Sequence, residues 1–232
     1  MPKLSQLKAD LHALASPEKA RILQNFFKTG KGQYGEGDIF LGVKVPESRA
    51  VAKKYKDLSF EEIKQLLESK IHEERLTALL LLVYLYQKSP DKRLVEFYLA
   101  NTKHINNWDL VDLTADKILG HYLEDKSRDI LYKLALSELL WERRISIIST
   151  FYFIRDNDFK DSLALAEILL HDKHDLMHKA VGWVLREIGK KDLNVLKDFL
   201  KKHYKTMPRT TLRYSIEKFP EDVRKKYLKG EV

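Results

Sequence analysis

The chain has 232 residues, 44% hydrophobic and 33% charged, which is enough apolar material for a core and an ordinary charge content for a soluble protein. It contains no cysteine, which excludes disulfides, thiolate zinc sites and a cysteine nucleophile and fits a reducing cytoplasm. The formal net charge of +8 is uneven: residues 190–232 hold 13 Lys and Arg against 6 Asp and Glu, and both a solvated face and a polyanion-binding face are open readings of that basic end.

Met1 to Asp10 carries charges where a signal peptide needs an apolar stretch, so export is not expected. Two amphipathic helices are predicted over Leu4 to Ala15 and Pro17 to Lys28, with Ser16 as N-cap and Pro17 at the first helical position. Five of the nine glycines then fall between Gly30 and Gly42, around Tyr34 and Ile39-Phe40-Leu41. That density predicts an irregular loop over 30–46 with positive-φ or close-approach positions. It lacks the lysine-serine ending of a phosphate-cradling loop and follows no strand, so nucleotide binding is rejected there. A structural bend and a loop closing over a ligand are the two readings left.

From Pro46 onward the periodicity is helical, in segments near 47–56, 60–69, 73–88, 91–101, 108–123, 127–137, 140–155, 159–170, 174–189, 192–204 and 208–218. Ser59 before Phe60-Glu61-Glu62 predicts an N-cap, and Ser89-Pro90 a helix stop. The longest apolar run, Ala78 to Tyr86, is about half a bilayer span and predicts a helix buried between neighbours.

Asn106-Asn107-Trp108-Asp109-Leu110-Val111-Asp112 sets Trp108 and Asp112 four residues apart, hence on one helix face. Segments aligned on Asp112 begin at Arg75, Arg144, Lys179 and Arg213, with steps of 37, 32, 35 and 34 residues. That is the period of a helical-repeat array. The expected fold is therefore all-α, a right-handed stack of paired helices resembling HEAT repeats. One column reads Arg, Asp, Arg, Lys, Arg, a lone acid in a basic row. An ion-pair ladder holding repeats together is one reading of it. The other is a nucleic-acid groove with cations for phosphates and the rings of Trp108, Trp141 and Trp183 near the column.

Two histidine patterns imitate metal sites. His72-Glu73-Glu74-Arg75-Leu76 starts like a zinc-protease helix but has leucine where the second ligand belongs. His171, His174 and His178 have suitable spacing, yet Asp172-Lys173 reads as a helix start that leaves His171 in a loop, so exposed histidines are preferred and no metal is expected.

Gly37-Asp38-Ile39-Phe40-Leu41-Gly42-Val43 with Pro46, Trp108-Asp109-Leu110-Val111-Asp112, Trp141-Glu142-Arg143-Arg144 and Lys179-Ala180-Val181-Gly182-Trp183-Val184-Leu185-Arg186-Glu187 together resemble the AlkD family of DNA alkylation repair glycosylases, from about residue 30 to near the C-terminus. The resemblance implies a HEAT-like solenoid over 1–232 with a basic concave groove. It also implies excision of positively charged N3- and N7-alkylated purines from duplex DNA, with capture of the lesion without a base pocket. Position by position, it puts the catalytic aspartate on Asp112, the tryptophans flanking the deoxyribose on Trp108 and Trp183, and a DNA-contacting arginine on Arg144. Lys179, Arg186, Arg75, Lys44 and Tyr34 are further expected DNA or substrate contacts. No cofactor is implied, and a cytoplasmic monomer with duplex DNA as partner and no membrane association is expected. Two positions depart from the family pattern: Asp175-Leu176 where paired aromatics stand, and Lys44 in place of a glutamine. A non-catalytic scaffold of the same fold, binding DNA structures or a protein, is the alternative function.

Overall fold

The computed structural model describes residues 2–232. Among them there is no β-strand; a single bridge pairs Ile39 with Ile71, and the regular structure is otherwise helical. The helices group into two compact units, one up to Thr114 and one from Ala115.

The first unit contains α1 (Lys3–His12), α2 (Pro17–Phe26), α3 (Val45–Lys54), α4 (Phe60–Leu67), α5 (His72–Lys88), α6 (Lys92–Ala100) and α7 (Trp108–Asp112). Local chemistry sets several of their ends. Ser16 Oγ accepts the Lys19 N–H and Pro17 opens α2. At α4, Ser59 Oγ takes the Glu62 N–H at 3.2 Å while the Glu62 carboxylate takes the Ser59 N–H at 2.9 Å, a reciprocal cap. Ser89, before Pro90, ends α5. The helix expected from residue 47 starts at Val45, with Pro46 in its first turn, where a missing N–H costs nothing.

The unit is built around α5, which is apolar on nearly all sides, and a helix of that pattern is stable only when enclosed. It packs against α3 and α4, and Leu76, Leu79, Leu80, Leu81 and Leu82 are buried. In its first turn Glu73 accepts the N–H groups of Leu41, Gly42 and Val43 at 2.9, 2.8 and 3.2 Å, tying the glycine-rich loop to the helix. A carboxylate is also favoured at a helix N-terminus. Gly42, at φ 82°, lies so close to the Ser16 carbonyl oxygen that a Cβ would not fit.

The second unit opens with a π-helical turn (Asp116–Gly120), followed by α8 (Asp129–Ala135), α9 (Leu140–Ser149), α10 (Phe151–Arg155), α11 (Lys160–Leu169), α12 (Asp175–Lys191), α13 (Leu193–His203), α14 (Arg209–Ser215) and α15 (Glu221–Lys229). Its central helix is α12, whose Met177, Ala180, Val181, Val184, Leu185 and Ile188 have no exposed surface. Gly182 lets α14 approach, since a Cβ there would lie 2.5 Å from the Tyr214 Cβ and 2.7 Å from the Thr211 carbonyl oxygen. Gly120 likewise meets the Ser149 carbonyl with no room for a side chain.

Three predicted segments need correction. The helix expected over 108–123 stops at Asp112 and resumes as the π-helical turn. The helix over 140–155 is interrupted at Thr150, whose hydroxyl donates to the Ile147 carbonyl at 2.7 Å. The helical pattern does not end near 218, because Pro220, the acidic pair Glu221 and Asp222, and a left-handed Gly230 delimit α15. The repeat column itself is regular: Asp112, Arg144, Lys179 and Arg213 are each the fifth residue of their helices, and Arg75 is the fourth of α5.

Candidate functional site

In the first unit the Trp-Asp motif occupies α7 alone, with Trp108 as first residue and Asp112 as last. Both are half-exposed. The buried Asn107 caps the helix through its side-chain oxygen, which accepts the Trp108 N–H at 2.8 Å. One face of the Trp108 indole is covered, since it stacks on Phe27 with ring centroids 5.1 Å apart. Its Nε1–H donates to the Tyr34 hydroxyl at 3.3 Å, so the glycine-rich loop positions this ring.

Asp109 turns the other way, into a buried charge network that sequence reasoning missed. Its carboxylate lies 2.8 Å from His72 Nε2, and Asp38 lies 3.4 Å from Nδ1 on the other side of the imidazole. Burial opposes charge on His72, but the Asp109 and Asp38 carboxylates prevail and push its pKa up to about 9. Burial also opposes charge on Asp38, which His72, Arg75 and a 3.0 Å bond from Asn106 nevertheless hold below the usual carboxylate range.

Arg75, expected at the DNA, belongs to this network. It is only 4% exposed, bonds Asp38 at 2.8 Å and donates to the Ser69 carbonyl at 2.7 Å. A guanidinium committed to a buried carboxylate is a scaffold group rather than a phosphate contact. The neighbouring acid Glu74 takes Lys8 and His12, each at 2.9 Å, so the apparent zinc motif consists of structural partners. Lys44 is exposed at the start of α3, its backbone N–H bonded to the Glu47 carboxylate at 2.7 Å.

In the second unit Trp183 is half-exposed on α12 and packs against Phe151 at 4.6 Å. Arg144 is 4% exposed and donates to the Leu176 carbonyl at 2.7 Å, which corrects the expectation of an open cation there. Lys179 pairs with Asp175, one turn earlier, at 2.8 Å. That bond holds the Asp175 carboxyl below its ordinary range, and the Thr210 hydroxyl donates to it at 3.1 Å. Arg186 is bonded to Glu187 at 3.3 Å and to Glu217. The histidines do not converge: the His174 Nδ1 caps α12 by accepting the Leu176 N–H at 3.2 Å, and the His178 ring bonds the Asp172 carbonyl. Among the described residues no group of three or more His, Cys, Asp or Glu could hold a metal, and no helix is long and apolar enough to cross a membrane.

Residues 7–219 match the sequence family described as DNA alkylation repair enzyme. The chain belongs to that family. No curated protein matches it in sequence. Among solved structures, a predicted DNA alkylation repair enzyme from Enterococcus faecalis is similar with a TM-score of 0.70 and 18% identity, over 89% of this chain and 97% of that one. AlkD2 from Streptococcus mutans is similar with a TM-score of 0.60 and 20% identity, over 88% and 98% of the two chains. The protein smu.31 from Streptococcus mutans UA159 follows with 0.56 and 21%, over 85% and 94%. At these identities the structures establish a shared all-α helical-repeat fold. As a DNA alkylation repair enzyme the chain has DNA as its partner, and three of the cations expected to meet it, Arg75, Lys179 and Arg186, are engaged by the protein's own carboxylates.

Proposed function

We propose that the protein is a monofunctional DNA glycosylase that hydrolyses the N-glycosidic bond of positively charged N3- and N7-alkylated purines in duplex DNA. The observation that carries this reading is a family member with Trp108 and Asp112 half-exposed at the two ends of one short helix. An alkylated purine already bears a positive charge, so the bond from C1′ to the base breaks with its electron pair leaving on the base, which becomes neutral. No general acid is required, in contrast to glycosidases, whose leaving oxygen must be protonated by a second carboxyl group. One carboxylate suffices. Asp112 stabilises the oxocarbenium-like sugar and orients the water that adds to C1′, and the proton lost from that water passes to the carboxylate or to solvent.

Trp108 is assigned an aromatic contact to the deoxyribose, with Tyr34 holding the indole. Trp183 is assigned an aromatic contact to the DNA, and an aromatic face attracts a growing positive charge by roughly 0.5–2 kcal/mol when desolvated. Lys44, Lys179 and Arg186 are assigned to the phosphates, whereas the enclosed Arg75 acts only by holding the network beneath α7 and the enclosed Arg144 by its bond to the Leu176 carbonyl. A second reading, a scaffold that binds DNA without excision, is favoured by Asp175, which neutralises Lys179 at a position where the family pattern carries aromatics.

The deciding experiment incubates the protein with methylated duplex DNA and measures released 3-methyladenine and 7-methylguanine. Release that Asp112→Asn abolishes, with DNA binding retained, supports the glycosylase. Binding without release establishes the scaffold.

A further inference from the structure

We propose that the first unit carries a binding site for an anionic amphiphile, a ligand with an apolar body and one carboxylate or phosphate end. A cavity of about 360 Å³ lies under α2, against the end of the glycine-rich loop and the start of α5. Ile22, Leu23, Phe27, Phe40, Val43 and Leu76 give it carbon walls. An apolar cavity of about 150 Å³ accepts a benzene ring, so this one has room for a body roughly twice that size.

Besides Lys19 and Lys44, three polar residues line the cavity, and the side chains of these three are already satisfied. Both His72 nitrogens face carboxylates. Glu73 accepts three backbone N–H groups. Asp109 takes His72 and, at 2.9 Å, the Leu110 N–H. A nucleobase is therefore a poor occupant, because its polar edge would exchange water for walls that offer no free donor or acceptor. An alkyl or aryl body loses nothing there.

The charged end is assigned by Lys19 and Lys44. Both line the cavity and are exposed, neither has an ion-pair partner among the described residues, and the proposal sets the anionic end of the ligand against their ammonium groups. The cover is a helix without a core of its own. No residue of α2 is buried, and Ile22 and Phe26 are 60% and 58% exposed. Both ends of α2 are fastened, the start by the Ser16 N–H bonded to the Leu41 carbonyl at 2.8 Å and the end by the buried Phe27, stacked on Phe40 at 5.0 Å and on Trp108 at 5.1 Å, and the turns between them rest over the cavity. A ligand body beneath them would bury apolar surface that the protein alone leaves wet.

The test is calorimetric titration of the full chain, free of DNA, with hexanoate, octanoate and octylammonium. Each buried methylene is worth about fourfold in affinity, so octanoate should bind about tenfold or more tighter than hexanoate, and octylammonium more weakly than octanoate. Lys19→Glu should remove the preference for the carboxylate. Leu76→Phe, which extends a ring into the cavity, should lower octanoate affinity at an unchanged melting temperature, and Val43→Leu serves if that variant is destabilised. No binding, affinity indifferent to chain length, equal affinity for octylammonium, or undiminished binding by a folded filled variant would each overturn the proposal. Since no DNA is present, these outcomes leave the glycosylase reading untouched.

Discussion

Mild alkali should loosen the first unit before its lysines and tyrosines titrate, because His72 is held there as a buried imidazolium. Burial disfavours that charge, but Asp109 at 2.8 Å and Asp38 at 3.4 Å override it, and the pKa rises from 6.5 to about 9. At about 1.4 kcal/mol per unit, a gap of that size corresponds to on the order of 3 kcal/mol of folding stability. The pKa is raised in the folded state, so the contribution is complete below pH 6.5, declines as the pH rises and is lost once it passes about 9. Against a typical domain stability of about 5–15 kcal/mol, this is a large share. The assay is urea unfolding from slightly acidic to alkaline pH in a Trp141→Phe/Trp183→Phe background, which leaves Trp108, stacked on Phe27, as the reporter of the first unit. With a urea slope of about 1–3 kcal/mol/M, the midpoint should fall by roughly 1–3 M across that window. His72→Gln should be less stable at acid pH and lack the decline. Stability that stays flat in this range, or an equal fall in His72→Gln, refutes the reasoning.

Asp112→Asn should fold normally, keep or slightly gain DNA affinity, and slow release of cationic alkylpurines by about 10²–10³, the usual cost of one preorganised electrostatic contact; single-turnover assays and thermal melts decide it, and a variant that unfolds would make Asp112 a structural residue. Asp175→Asn releases Lys179 from its 2.8 Å ion pair, so duplex binding should tighten and log affinity should fall more steeply with log salt, by about 0.9 if one more phosphate is neutralised; an unchanged salt slope would remove Lys179 from the interface. Glu73→Ala strands the N–H groups of Leu41, Gly42 and Val43 and should cost about 3 kcal/mol or more, with amide hydrogen exchange accelerating across residues 39–44. Base release should be indifferent to EDTA, since the proposed step uses no metal; loss of release that zinc restores would return attention to His171, His174 and His178.

What the sequence determined by itself is what local chemistry encodes. Helical periodicity gave the all-α class, Ser16-Pro17 and Ser59-Glu62 marked two helix starts correctly, and the repeat column fell at matching helix positions because each unit repeats one backbone pattern. The Trp108–Asp112 spacing placed both residues on one helix for the same reason. The partners of charged side chains were not legible, because they are chosen across distances in sequence that no periodicity records. Arg75 and Asp112 occupy the same column, yet Arg75 is committed to Asp38, 37 residues earlier in the chain, through a loop whose path depends on Glu73 holding three backbone N–H groups. Asp109 stood in view beside Trp108, but only the packing of α7 against α5 decided that it would turn inward to His72. The break after Asp112 was equally hidden: Val111 to Leu123 reads as continuous helix, and it is the closeness of Gly120 to the Ser149 carbonyl, a tertiary contact, that accompanies the wider turn there. Burial then separates residues that composition treats alike, leaving Lys44 in water while enclosing Arg75 and Arg144, because a charge can leave water only where the fold supplies its hydrogen-bond partners.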